Sequence, residues 1–387
     1  MHLLNVDTRR LEEFWGDRTP PYAILSHTWG EEEVSFQDLD DPKHKEKLGY
    51  AKIEGCCQQA IRDGLNFIWV DTCCIDKRSS AELSEAINSM FRWYGEAQVC
   101  YVYLEDVPLE ENVCAPNSAF CRSRWFTRGW TLQELIAPVE LKFFDKTWGM
   151  IFVVNKCKKT ENGSYLSGDI SGTRVAAVAR ITGIESWHSY WSLTHDICND
   201  LRGVPLATKL SWISKRSTRR VEDMAYSLLG LLEVSMPLLY GEGDGAFIRL
   251  QEEFLKKYFD PSILLWGIGM DRLAIKEFGG HLKPYGLART PLLFAWARGV
   301  LLLQSGKHLG QPSRGIWALT PHGLRVELPL LRIDACSDAY LCVMDYTVDE
   351  YCESHRARYF AMPLRRFNNS DMVPAKHIEM EDDLSCG

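Results

Sequence analysis

The chain has 387 residues, of which 46% are hydrophobic and 25% charged, with a formal net charge of −8. That length accommodates two or three domains, and the composition is that of a globular protein rather than a disordered one. The acidic balance argues against nucleic acid as the main partner, because phosphate binding needs a concentrated basic surface.

The first residues, MHLLNVDTRRLEEF, lack the basic lead, apolar core and small-residue cleavage site of a secretory signal. The apolar run GVLLLQ at 299–304 is too short to span a bilayer. No membrane span and a cytoplasmic location are therefore expected. The thirteen scattered cysteines are expected to be thiols in such a reducing compartment.

Tyr22 to Leu25 reads as a short buried strand, stopped by Ser26, His27 and Gly30. Glu31 to Asp41 is an acidic loop. Lys47 to Gly64 carries Ile53, Cys57, Ala60 and Ile61 at helical spacing. Asn66 to Val70 is a second buried strand with Asp71 at its end. Ser79 to Glu82 fits a capping box that starts a helix with the apolar stripe Leu83, Ile87, Met90, Phe91 and Tyr94. Val99 to Leu104 is a third strand, and Glu105 to Ser123 a loop. Arg124 to Pro138 supplies a helix, and Val139 to Phe144 a fourth strand.

This alternation predicts an α/β fold, a parallel sheet with helices on both faces. A helical segment follows, with helices at Arg174 to Thr182, Leu206 to Ser214, Val221 to Leu232 and Ala246 to Tyr258. A β-rich C-terminal domain closes the chain, with runs at Ser262 to Trp266, 299–304, Leu324 to Leu328, Ala339 to Val343 and Tyr359 to Pro363. The expected domains are 1–155, 156–260 and 261–387, with a frayed acidic tail from Met380.

Right-handed crossovers bring Ser26, Asp71 and the start of the Glu134 helix to the carboxyl edge of the sheet, where open α/β folds place ligands. On its own, Glu134 fits two readings. It closes a capping-box pattern with Thr131. It also shares a helical face with Trp130, and an acid partly desolvated by an indole is chemically useful. With Trp29 and Trp130 as stacking walls, Ser26 as a hydrogen-bonding group and Asp71 and Asp76 nearby, the set suits cleavage of a glycosidic bond. Core packing is the competing role for Trp29, Trp125 and Trp130.

Other chemistries fit less well. Cys73 and Cys74 are adjacent, so they cannot chelate as a zinc-ribbon pair, and no metal site is expected. A cysteine nucleophile, Cys73 or Cys74 with His27, ranks below the carboxylate site. No phosphate-loop pattern follows a strand, and Gly241-Glu-Gly243 resembles one only superficially. Arg216, Arg219 and Arg220, followed by Glu222 and Asp223, read as a solvated helix face.

The blocks YAILSHTWG, FIWVDTCCIDKRSSAELSEAINSMFRWYGEAQVCYVYLEDV and SRWFTRGWTLQELIAP together resemble the signature of the fungal heterokaryon-incompatibility (HET) domain, from Tyr22 to Pro138. RRVEDMAYSLLGLLEVSMPLLYGEGDGAFIRLQEEF resembles the region that follows it in many such proteins. The resemblance implies a role in self/non-self recognition and in programmed cell death after hyphal fusion. It leaves the triggering protein partner open.

A more distant similarity links the same layout to TIR domains, which have a flavodoxin-like fold. Enzymatic TIR domains cleave NAD at the nicotinamide–ribose bond with a glutamate in a Trp-x-x-x-Glu pattern, matched here by Trp130 and Glu134. His27 and Trp29 belong to the HET pattern alone, and Cys73-Cys74 has no TIR counterpart. The similarity implies a NAD glycohydrolase with Glu134 catalytic and with Ser26, His27, Trp29, Asp71, Cys74, Asp76, Arg128 and Trp130 around the substrate. NAD or a related nucleotide is then a substrate rather than a cofactor, and self-association accompanies activation. The alternative is a non-catalytic, TIR-like module that recruits a downstream death effector.

Overall fold

In the computed structural model, the first part of the chain builds one seven-stranded sheet. Its strands are β1 (His2–Asn5), β2 (Leu11–Glu13), β3 (Ala23–His27), β4 (Phe67–Trp69), β5 (Val99–Tyr103), β6 (Glu140–Phe144) and β7 (Met150–Asn155). The structure describes residues 1–109, 113, 115–156, 158–159, 165–166, 173–184, 201, 203–267 and 287–297, and beyond these the strands named below.

The strand order is β2-β1-β4-β3-β5-β6-β7. β4, β3, β5 and β6 are parallel, and the β1–β2 hairpin and β7 add antiparallel edges. Numbered along the chain, the four parallel strands lie in the order 2-1-3-4, a doubly wound arrangement that reverses direction between β3 and β5. Every residue of β3 and β5 is buried, as strands covered on both faces must be. The expected parallel α/β fold is therefore present. The first strand runs on through Ser26 and His27 instead of stopping at Leu25. Full enclosure lets these polar residues stay in the ladder once their side chains find partners.

Helix α1 (Tyr50–Arg62) buries Ile53, Cys56, Cys57 and Ala60, while Ile61 faces solvent. Its buried Lys52 is satisfied by Thr28 O at 3.0 Å and Glu33 Oε1 at 2.6 Å. Helix α2 (Ser80–Glu96) buries Ile87, Met90, Phe91 and Tyr94 as its spacing predicts. Ser79 caps it by accepting from Glu82 N, but the Glu82 carboxylate accepts from Asp76 N at 2.9 Å. Only half of the capping box forms. Helix α3 (Thr131–Ile136) is short and entirely buried.

The chain divides into two units, Met1–Arg202 with Lys215–Leu250, and Gly203–Ser214 with Gln251–Gly387. The first contains the sheet and the helices Thr173–Thr182 and Asp223–Tyr226. The expected helix from Val221 to Leu232 is thus one turn, continued by hydrogen-bonded turns such as Leu232 N to Leu228 O. In the second unit, Leu206–Ile213 starts against Asp260 and Ser262, which accept from Leu206 N and Ala207 N. Ser262 lies in a 3-10 turn, Pro261–Leu264, rather than in a strand. Pro261 fixes the first helical position and Asp260 accepts from Ser262 N, and both favour a helical start.

A four-stranded antiparallel sheet follows, formed by Leu330–Arg332, Ala339–Met344, Phe360–Arg366 and Met372–Pro374. Val300–Leu302 pairs with Tyr346–Val348, and Ala318–Thr320 with Gly323–Arg325. The β-rich character expected of the C-terminal region is present. The tail from Met380 lies outside the described residues. Among the described residues no helix is long and apolar enough to cross a membrane.

Candidate functional site

Ser26 and His27 end β3, at the carboxyl edge beside the switch between β3 and β5. Ser26 is fully buried, and its Oγ donates to Glu134 Oε2 at 2.5 Å. Trp125 Nε1 donates to the same Oγ at 2.7 Å. The Tyr94 hydroxyl donates to Leu25 O at 3.0 Å and also lies within hydrogen-bonding reach of the Glu134 carboxyl. Together these residues close around one carboxyl group.

Glu134 is 6% exposed. Burial is the main cause that pushes its carboxyl up to about 8, and the nearby charge of Asp71 adds to it. The Ser26 and Tyr94 hydroxyls and the Arg216 charge pull the other way without cancelling it. Desolvation therefore outweighs hydrogen bonding here, and the acid holds its proton at neutral pH.

The capping role is not what Glu134 does. Trp130 occupies the N-cap of α3 and makes no side-chain cap. The Thr131 hydroxyl is bound to Trp125 O at 2.5 Å and to Arg128 O at 2.9 Å. The carboxyl is free of the helix start and reaches across to β3.

A second cluster adjoins the first along β3. His27 Nε2 lies 3.1 Å from Asp71 Oδ1, and Trp29 Nε1 donates to Asp71 Oδ2 at 2.8 Å. Burial would raise the Asp71 carboxyl, but His27, Lys77 and Trp29 together hold it below the ordinary value. Lys77 Nζ sits 3.9 Å from the centre of the Trp29 ring.

The remaining candidates fall elsewhere. Trp130 is half-buried and bonds to Asp223. Cys74 is buried, and its sulfur accepts from Val70 N at 3.3 Å. Asp76 accepts from Gln37 Nε2 at 2.6 Å and from Arg78 N at 3.0 Å. The Cys73 thiol is pushed well up by its bond to Cys74 and by burial, which removes the thiolate a nucleophile needs. Among the described residues no group of His, Cys, Asp and Glu is arranged to hold a metal ion.

A cleft of about 560 Å³ opens beside Trp15, Pro20, Tyr22 and Trp93, at the amino end of β3. It lies at the opposite edge of the sheet from Glu134, and none of the carboxylate-site residues lines it.

The family model for Heterokaryon incompatibility protein (HET) matches residues 22–118. Residues 22–118 therefore carry the signature of a HET domain. It is 44% identical over 262 residues to Vegetative incompatibility protein HET-E-1 of Podospora anserina. That match covers 65% of this chain but only 17% of the relative, so the chain spans a small part of the protein it resembles. No solved structure matches the chain.

The matched region holds Ser26, His27, Trp29, Asp71 and Tyr94, while Glu134, Trp125 and Arg128 lie beyond it. Three site residues escaped the sequence reading. Trp125 stood among possible core residues, although a buried indole N–H needs an acceptor. Tyr94 carries the same signal, a hydroxyl inside an apolar stripe. Arg216 was assigned to a solvated helix face, but it is 6% exposed in an irregular segment. Its Nη1 donates to Arg128 O at 3.0 Å and to Thr131 Oγ1 at 2.9 Å. Burial drags the Arg216 guanidinium down to about 9, still charged at neutral pH.

Gly241 and Gly243 do form an anion-binding turn, both with positive φ. Its occupant is internal: their N–H groups donate to Glu222 Oε1 at 2.7 and 3.1 Å.

Proposed function

We propose that this chain acts in fungal heterokaryon incompatibility as a cell-death effector, and that its HET domain hydrolyses NAD at the nicotinamide–ribose bond. The domain match and the HET-E-1 relative support the first part. The second rests on a single observation, the enclosed Ser26–Glu134 pair at the carboxyl edge of the sheet.

In this reading the nicotinamide ring enters beside Glu134. Its positive charge favours ionisation of the acid, which gives up its proton to solvent. The C1′–N bond breaks and its electron pair goes to the ring nitrogen, neutralising the ring. The Glu134 carboxylate faces the oxocarbenium left on the ribose and stabilises it. Water adds to C1′ and loses a proton, and Glu134 takes a proton back from solvent as the products leave, so the net yield is nicotinamide, ADP-ribose and one H⁺. Ser26 and Trp125 fix the carboxyl, and Asp71 holds His27 and Trp29 beside it on the carboxyl edge of the sheet. Catalysis requires the domain to self-associate, and it runs in the cytoplasm.

A second reading draws on the same burial. A wholly enclosed Ser26 and a nearly enclosed Glu134 also suit a structural polar network, in a domain that recruits a downstream effector. Expression of Glu134→Gln in hyphae separates the two. Loss of killing together with loss of NAD depletion, at unchanged protein level, supports hydrolysis. Killing retained by the folded variant supports recruitment.

A further inference from the structure

We propose that Arg128 and Arg219, with Arg216 behind and Lys77 on the Trp29 ring that Arg219 also meets, form an anion subsite for the diphosphate of a nucleotide. The identity of that ligand rests on the NAD reading above, whereas the subsite itself rests on the arrangement of the cations.

The segment after Ser214 is pinned to the start of α3. Gly129 N donates to Ser217 O at 2.8 Å, and Ser217 N donates to Thr127 O at 2.7 Å. Gly129 has no side chain to obstruct this contact. A Cβ there would stand 2.5 Å from Thr218 Cγ2. The pairing sets Arg216 beneath Arg128 and carries Arg219 to the face of Trp29, with 5.7 Å between its Cζ and the ring centre. Lys77 lies over the same ring. Arg128 is close enough to Arg219 that, after burial, their repulsion is the main cause lowering its guanidinium.

Four acids face this group, and each already has partners of its own. Glu33, near Lys77, is held by Lys52 Nζ at 2.6 Å and by Gly30 N. Asp71 is held by His27 and Trp29. Asp223 is held by Tyr240 and Trp130, and burial raises its carboxyl. Glu134 faces Arg216 and keeps its proton at neutral pH. Arg216 Nη2 is buried without a hydrogen-bond partner. Three arginines thus gather, with Lys77 on the neighbouring indole, in a chain of net charge −8.

Like charges held this close cost stability unless an anion joins them. A guanidinium fork matches phosphate geometry, and two forks with an ammonium match two linked phosphates better than one. The subsite adjoins Glu134 through Arg216 and Thr131, so a ligand spanning both would present a diphosphate here and its reacting bond at the acid.

Titration calorimetry of the whole chain at low ionic strength, with inorganic pyrophosphate and then inorganic phosphate, tests this. Saturable pyrophosphate binding is expected, with phosphate weaker. Arg128→Gln and Arg219→Gln should each weaken it about tenfold, the loss of one charge-assisted contact. Arg62→Gln, on an exposed part of α1, should leave it unchanged. Circular dichroism confirms that each variant is folded. No saturable binding by the native chain, or equal affinity in the arginine variants, overturns the proposal. Pyrophosphate binding without NAD cleavage counts against hydrolysis alone, and NAD cleavage without pyrophosphate binding counts against the subsite alone.

Discussion

Ser26 and Glu134 are 108 residues apart in the chain and 2.5 Å apart in the fold, joined at the carboxyl edge of the central strand. The contact depends on β3 continuing through Ser26 and on α3 beginning with a threonine that bonds to preceding carbonyls. Removing the Ser26 hydroxyl strips two partners at once, the donor to Glu134 and the acceptor for Trp125. Ser26→Ala is expected to destabilise the chain by about 1–3 kcal/mol, the cost of buried polar groups left unpaired. Urea unfolding of both proteins at neutral pH measures it.

The raised carboxyl of Glu134 links stability to pH. Between the ordinary carboxylate range and about 8, the folded chain keeps a proton that the unfolded chain has released. The Glu134 contribution is therefore complete at acid pH and is lost as pH rises through about 8. Glu134→Gln cannot ionise. Its unfolding midpoint should fall less than that of the native chain between about pH 6 and about pH 9. Parallel pH profiles for the two proteins would contradict the assignment.

The two neighbouring tryptophans should differ. Trp125 is fully buried, packs edge-on to Phe126 and Phe143, and bonds to Ser26. Trp130 is half-buried and bonds to Asp223. Trp125→Phe is expected to cost about 2 kcal/mol or more through lost volume and an orphaned hydroxyl. Trp130→Phe should cost less than half of that, as paired thermal melts would record.

The sequence made one of these two distinguishable only in part. Helical spacing pairs Trp130 with Glu134, but α3 starts at Thr131 and leaves the Trp130 side chain outside the helix. The parallel core was legible because its strands are short apolar runs between amphipathic helices. The placement of Ser26 and Asp71 at the carboxyl edge was legible because each is a polar residue at the end of a strand. The antiparallel N-terminal hairpin, β1 with β2, was not read at all, since LLNV and LEEF are too short to show a period. Arg216 was hidden because local composition reports charge and not burial. Its partners, Arg128 O and Thr131 Oγ1, are more than eighty residues away.

Thiol chemistry gives a separate check. Cys73 and Cys74 are buried, whereas Cys121 is half-exposed. Iodoacetamide on the native chain should label Cys121 before Cys73 or Cys74, as read by peptide mass spectrometry. Early labelling of Cys73 would revive a cysteine nucleophile.

Nicotinamide release from NAD by purified, concentrated protein, beside Glu134→Gln at equal folded concentration, tests the central claim most directly. Release by the native chain and none by the variant is the predicted result. Equal release by both, or NAD left intact by a native chain shown to be self-associated, would contradict it.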